Sequence, residues 1–135
     1  LLPLLQERWA PLTAAVVIGG IWFVWHLPLV FIDGTVQSTL PIWLYALQLV
    51  ALSVVLTWLT NVAAGAVLPA MFLHAGANVG VTFYPAGGAA GGTSDLGFGL
   101  IVAVLVVVAV GIALASGWSL GRRVAWERQR RDEQR

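Results

Sequence analysis

The stretch Trp22-Phe23-Val24-Trp25-His26-Leu27-Pro28 lies within residues 12–32, a run of twenty-one residues without a charge. A helix of roughly 20 apolar residues crosses the ~30 Å hydrocarbon core of a bilayer, so this run predicts a membrane span. A second stretch, His74-Ala75-Gly76-Ala77-Asn78, lies in another apolar run and holds the only other histidine. Polar side chains inside spans are costly and usually face a functional interior. We therefore expect a membrane scaffold that brings these two segments face to face.

The composition also indicates a membrane protein. Hydrophobic residues make up 59% of the 135 residues and charged residues only 10%, whereas a soluble domain carries about a quarter charged residues. There is no cysteine, which excludes disulfides and thiolate metal sites. The chain begins with Leu1, and its only methionine is Met71. From this we expect a fragment of a longer protein.

The apolar runs predict the fold. They divide into four spans, at residues 12–32, 41–60, 62–84 and 98–116. Residues 40–84 form one run of forty-five residues, about twice a span, which we divide at Thr60-Asn61 as a tight hairpin. The predicted fold class is all-α: a polytopic membrane bundle of about four transmembrane helices that forms the C-terminal part of a larger bundle.

Two prolines and one helical stripe refine this prediction. Pro28 should kink or end the first span near His26, and Pro69 should break the hydrogen-bond ladder within the third. Ala66, Ala70, His74 and Asn78 are four residues apart, which predicts a stripe that packs inside the bundle. Counted from the starts of their spans, His26 lies roughly 21 Å and His74 roughly 18 Å deep. The two imidazoles are thus expected at a similar level.

The charges predict orientation and domain division. Basic residues occur only at Arg8 and beyond Leu120, so both ends are predicted to be cytoplasmic. We divide the chain into a domain of residues 1–117 and a basic cytoplasmic tail of residues 118–135. The glycine-rich residues 85–97 predict a linker. The predicted location is integral to a bacterial plasma membrane, with lipid as a partner. Nucleic acid is not expected, because acids nearly balance arginines in the tail.

The two histidine segments resemble motifs of a known family. Trp22-x-x-x-His26-x-Pro28 and His74-x-x-x-Asn78 are similar to the second and third motifs of the CPBP family. These are the CAAX proteases and bacteriocin-processing proteins, also called the Abi or type II CAAX endopeptidase family. Residues 1–9 resemble the segment that follows that family's first motif, Glu-Glu-x-x-x-Arg. The similarity runs from Leu1 to about Tyr84.

The resemblance implies intramembrane hydrolysis of peptide bonds. A first-motif glutamate and His26 would activate water, His74 and Asn78 would hold the oxyanion, and Trp22 would line the site. Glu-Glu-x-x-x-Arg is absent from this chain and is expected just upstream of Leu1. We therefore expect a parent enzyme that is a protease of CAAX-type proteins, peptide precursors or membrane-protein segments, and a 135-residue chain that is inactive alone.

Four alternatives remain at this point. Each histidine could simply hydrogen-bond a neighbouring helix and hold the bundle together. Two histidines and an upstream glutamate could bind zinc, although no cofactor is the favoured expectation, because Asn78 is a poor zinc ligand and a good oxyanion donor. His26 and His74 could ligate haem, which explains neither Trp22 nor Asn78. A non-enzymatic role in bacteriocin immunity or partner binding is the last alternative.

Overall fold

The computed structural model describes residues 1–83 and 95–122, with side chains for residues 1–79 and 97–122. Within those residues the protein is all-α, as predicted. Its helices are α1 (Leu2–Gln6), α2 (Pro11–Val30), α3 (Ile42–Val62), α4 (Leu68–Phe83) and α5 (Asp95–Ser116), with a short 3-10 helix at Gln37–Thr39. The predicted tail beyond residue 122 and most of the predicted linker lie outside the described residues, and the division into domain and tail stays a prediction.

Three of the described helices are long and apolar enough to cross a membrane. They are α2, α3 and residues Gly97–Ser116 of α5, so the chain is an integral membrane protein. The third predicted span, residues 62–84, corresponds to α4, which begins later than predicted. Its described part has 16 residues, about 24 Å at ~1.5 Å per residue, and residues 84–94, which follow it, lie outside the described residues. A fourth span stays a prediction.

The turn between α3 and α4 explains this difference. Helix α3 continues through Thr60-Asn61 to Val62, and the chain turns at residues 63–67 instead. Ala64 and Gly65 adopt φ of 52° and 86°, and the Gly65 N–H donates to the Thr60 carbonyl at 2.9 Å, as at many helix C-termini. Ala66 lies in this turn and is exposed. The predicted stripe therefore begins only at Ala70.

Pro69 does not break α4 as predicted, and the kink predicted at Pro28 stays a prediction. Pro69 is the second residue of α4, where a helix N–H has no intrahelical partner and proline is well tolerated. Pro28 lies inside α2, which continues to Val30. Helix α2 thus ends four residues beyond His26, and Pro69 leaves α4 unbroken at His74.

Helices α2 and α3 form the most extensive contact of the bundle. A Cβ built on Gly19 would lie 2.7 Å from the Cα of Val50, so glycine allows the two backbones to approach closely. The Ser53 hydroxyl donates to the Ala15 carbonyl at 2.8 Å, and both residues are buried. Trp22 and His26 follow Gly19 by three and seven residues on the same face of α2. The glycine contact therefore fixes the face that carries the candidate site.

Helix α5 also packs on α3. Phe98 and Val102 pack with Leu44 near one end, and Ala109 packs with Val55 near the other. After α5 ends at Ser116, the chain turns back, and Leu120 is completely buried in the same core. Helix α5 thus has the structural role that its composition predicts.

Candidate active site

Trp22 lies against both histidines. Its ring centroid is 5.1 Å from that of His74, in a stacked arrangement, and 5.9 Å from that of His26, edge to face. The predicted segments of α2 and α4 therefore face each other, and the indole makes the connection. Because α4 begins six residues later than predicted, His74 lies nearer the start of its helix and meets Trp22, one turn before His26.

The hydrogen bond of His26 determines which of its nitrogens carries the proton. His26 Nδ1 lies 2.9 Å from the backbone carbonyl oxygen of Trp22. A carbonyl only accepts, so Nδ1 must be the donor. In the neutral imidazole, Nε2 is then unprotonated and able to accept a proton. His26 is half-buried in α2, and Nε2 is the nitrogen that can accept a proton.

Helix α4 carries the other two predicted residues. His74 is half-buried under the Trp22 indole, whereas Asn78, one turn further along the same face, is exposed. The exposure of Asn78 leaves it accessible to a molecule that enters beside α4. The structure thus brings Trp22, His26 and His74 together and places Asn78 beside them along the helix.

Tyr45 is a neighbour of the site that the sequence analysis did not identify. Its buried ring lies 6.4 Å from that of His26 and 6.3 Å from that of Phe23, both edge to face. The side chain of Gln37 hydrogen-bonds the Tyr45 hydroxyl. A phenol inside an apolar span is a polar group that needs a partner, and this signal was present in the sequence.

A cavity of about 430 Å³ adjoins this cluster. Its lining is mainly apolar and comes from α3, α4, α5 and the segment before α3. Three polar side chains face it, namely Gln37, Tyr45 and Gln48, and Leu73 and Ala77 line it on either side of His74 in the sequence. An apolar pocket with a few polar groups is the usual form of a ligand site.

Carboxylates are not part of the described cluster. Within the residues that the structure describes, no group of three histidine, aspartate or glutamate side chains gathers that would hold a metal ion. Glu7 and Asp33 are exposed, and they lie before and after α2 in the chain. Two histidines alone do not complete a zinc site of three protein ligands. The expectation of a site without a cofactor stays a prediction.

Comparison with known proteins identifies the family. The model of a protein family described as "Type II CAAX prenyl endopeptidase Rce1-like" matches residues 1–80, more than half of the chain. The chain belongs to this family. No curated protein and no solved structure matches it. The predicted resemblance to the type II CAAX endopeptidases is confirmed.

The family assignment covers every predicted site residue. Trp22, His26, His74 and Asn78 all lie within residues 1–80 of the Rce1-like match, and so does Tyr45. Helix α5 and the turn that follows it lie outside the match. The Rce1-like proteins are a protease family, and this member has three long apolar helices among its described residues that are candidate membrane spans.

Proposed function

We propose that this chain supplies the histidine and asparagine groups of an intramembrane endopeptidase. The observation that carries the proposal is the contact of one indole, Trp22, with His26 and His74, together with the His26 Nδ1–Trp22 carbonyl hydrogen bond. That bond leaves His26 Nε2 to accept a proton. The family assignment supports peptide-bond hydrolysis as the reaction.

In the proposed mechanism His26 acts as the base. Its Nε2 takes a proton from water while the water oxygen attacks the peptide carbonyl carbon. The carbonyl oxygen becomes an oxyanion, which His74 and Asn78 stabilise as neutral donors. When the carbon–nitrogen bond breaks, the proton passes from His26 to the departing amine. Trp22 is a positioning residue, since its stacking on His74 holds α4 against α2.

A carboxylate is the missing part of this mechanism. The resemblance assigns water activation to a glutamate of Glu-Glu-x-x-x-Arg together with His26, and the 135 residues do not contain that motif. We therefore propose that hydrolysis needs a carboxylate that this chain does not supply at the cluster.

The 430 Å³ cavity is the proposed place for the substrate. Tyr45 both lines this cavity and contacts the His26 ring, so a chain bound there would lie next to the base. The apolar lining suits an apolar segment, and Gln37 and Gln48 offer amide groups to a peptide backbone. This favours an extended, apolar peptide over a charged one.

The haem alternative fits the arrangement less well. Axial ligation would use one ring nitrogen of each histidine, and it gives no part to an aromatic ring that contacts both. Here the Trp22 indole stacks on His74 and also contacts His26. A Soret absorption band in the purified protein would contradict our preference for a protease.

Cleavage of a farnesylated CAAX peptide in proteoliposomes tests the proposal. The assay uses the chain as it is and the chain extended before Leu1 by a helix that carries Glu-Glu-x-x-x-Arg. We expect cleavage by the extended form alone. His26→Ala should reduce this cleavage about 100-fold to 10,000-fold, the range for loss of a general base.

The outcomes separate the parts of the proposal. Cleavage by the extended form that survives both His26→Ala and His74→Ala would overturn the assignment of the site. His26-dependent cleavage by the unextended chain would support the site and contradict the need for an added carboxylate. A folded extended form without cleavage of any CAAX peptide would favour the non-enzymatic alternative.

A further inference from the structure

A second cavity lies far from the histidines, where α2 begins and α5 ends. It has a volume of about 530 Å³ and is lined by Trp9, Ala10, Pro11, Gly117, Trp118, Ser119 and Arg122. Since both α2 and α5 are candidate spans, these ends lie at one surface of the membrane. None of the seven lining residues is acidic, so Arg122 gives the cavity a positive charge.

The turn at residues 117–121 is built in an unusual backbone conformation. Trp118 and Leu120 adopt φ of 70° and 44°, and Gly117 and Gly121 adopt 57° and 77°. Non-glycine residues rarely adopt positive φ, and such residues persist only where their surroundings fix them, often at ligand sites. The turn therefore holds its exposed side chains in a definite arrangement.

Packing on both sides of the turn holds its backbone in this conformation. Leu120 is completely buried in the core that includes Ala15 and Val55. A Cβ on Gly121 would lie 2.5 Å from Cγ1 of Val62, so Gly121 lies directly on α3. The Arg122 guanidinium donates to the carbonyl of Gln6. These three contacts connect the turn to α1, α2 and α3.

The anchored turn leaves a charged group and two indoles at the cavity. A guanidinium has five N–H donors, and among the described residues Arg122 uses them on the Gln6 carbonyl alone. The remaining donors suit the oxygens of a phosphate, which arginine binds in two-pronged geometry. The Ser119 hydroxyl, which lines the same cavity, donates to the Ser116 carbonyl and keeps acceptor lone pairs but no second proton. Arg122 is therefore the group that would bind the anion.

We propose that this cavity binds the phosphate of an anionic phospholipid headgroup. Trp9 and Trp118 are 46% and 65% exposed, and exposed indoles at helix ends typically lie at headgroup level. They would contact the glycerol and upper acyl chains while Arg122 binds the phosphate. A free phosphate ion would use Arg122 but gain nothing from the two indoles, which is why the lipid is the proposed ligand.

Native mass spectrometry of the detergent-solubilised full chain tests this site. The probes are phosphatidylglycerol, phosphatidylcholine and inorganic phosphate, each titrated separately. We expect one preferential site for phosphatidylglycerol and about tenfold weaker binding in Arg122→Gln, as for the loss of one charge-assisted hydrogen bond. Arg8→Gln is the matched control, because Arg8 is an exposed arginine next to Trp9 that does not line the cavity.

A second variant separates binding from folding. Trp118→Gly removes the indole, and glycine suits a φ of 70°, so the thermal unfolding temperature should not fall while phosphatidylglycerol binding weakens. Equal losses in Arg122→Gln and Arg8→Gln would indicate diffuse attraction and overturn the site. If phosphatidylcholine binds as tightly as phosphatidylglycerol, the proposal of an anionic lipid is contradicted. Displacement of the lipid by millimolar inorganic phosphate would assign the site to the free ion instead.

Discussion

The two helices that carry the histidines are held in different ways. Helix α2 lies directly on α3, with Gly19 against the Val50 backbone and a buried hydrogen bond from Ser53 to Ala15. Helix α4 packs mainly on α3, and Met71, Phe72 and Val79 are exposed along it. Gly76 of α4 has no neighbouring atom within 4 Å of where its Cβ would be. Among the described residues, His26 thus belongs to a closely packed pair of helices, and His74 to a helix that packs less extensively.

Trp22 contacts the two histidines through different atoms. On α2, the backbone carbonyl of Trp22 orients His26 whatever side chain stands at position 22. On α4, His74 contacts the indole itself, in the stacked arrangement at 5.1 Å, and we propose that this contact orients the imidazole. The same residue therefore acts on the two histidines through different atoms, and the two effects can be separated by mutation.

Among variants that keep both histidines, the largest expected effect follows from that separation. Trp22→Leu keeps the carbonyl but removes the stacked ring, so His74 should lose its position while His26 keeps its proton on Nδ1. We expect the cleavage rate of the Glu-Glu-extended form to fall about 100-fold, the scale for a misplacement of about 1 Å. The measurement is peptide cleavage in proteoliposomes, combined with the ¹⁵N spectrum of His26.

Trp25→Leu is the control for this substitution. Trp25 is 80% exposed on the outer face of α2, so its loss should change the cleavage rate by about twofold or less. Equal losses of activity in the two variants would show that tryptophan anchoring in the bilayer, and not the contact with His74, explains the effect.

Gly19→Ala tests the rigidity of α2 against α3. The added Cβ would lie 2.7 Å from a backbone atom, so the helices must separate, and we expect a loss of about 1–3 kcal/mol in the free energy of unfolding. In the adjacent Gly20→Ala, the Cβ meets open space, and alanine's higher helix propensity should leave stability equal or raised by about 1 kcal/mol. Thermal unfolding in micelles measures both. A Gly19→Ala variant as stable as wild type would contradict the close contact.

The smallest effect is expected for the hydrogen bond between the same helices. Ser53→Ala removes a buried donor to the Ala15 carbonyl, and such interhelical bonds in membranes contribute about 0.6 kcal/mol. Thr60→Ala is the matched variant, because the Thr60 hydroxyl donates to Leu56 within its own helix. We expect Ser53→Ala to lower the unfolding temperature more than Thr60→Ala. A larger fall in Thr60→Ala would show that the hydrogen bond within α3 stabilises the protein more than the one between α2 and α3.

The fold was predictable where apolar length decides the structure. Residues 12–32, 41–60 and 98–116 correspond closely to α2, α3 and α5, since long uncharged runs favour helices that span a bilayer. The division of the run from 40 to 84 was wrong because the turn at 63–67 consists of alanine, glycine and valine. Positive φ at Ala64 and Gly65 ends α3 there, and no polar residue marks that position.

The site was predictable where polar residues occur in apolar runs. Two histidines and one asparagine in such runs identify the segments that face each other, and the spacing of Trp22 and His26 places both on one face. The contact between Trp22 and His74 depends on where α4 begins, which hydropathy alone does not determine. Tyr45 was missed because the polar side chains considered as site residues were the two histidines and Asn78.

The ¹⁵N spectrum of the histidine-labelled chain tests the central claim most directly. The chain has only two histidines, so a His74→Gln variant assigns the resonances of His26. A neutral imidazole ring carries its proton on one nitrogen only. We predict a protonated Nδ1 and an unprotonated Nε2 for His26. A proton on Nε2 would contradict the hydrogen bond to Trp22 and remove the proposed base.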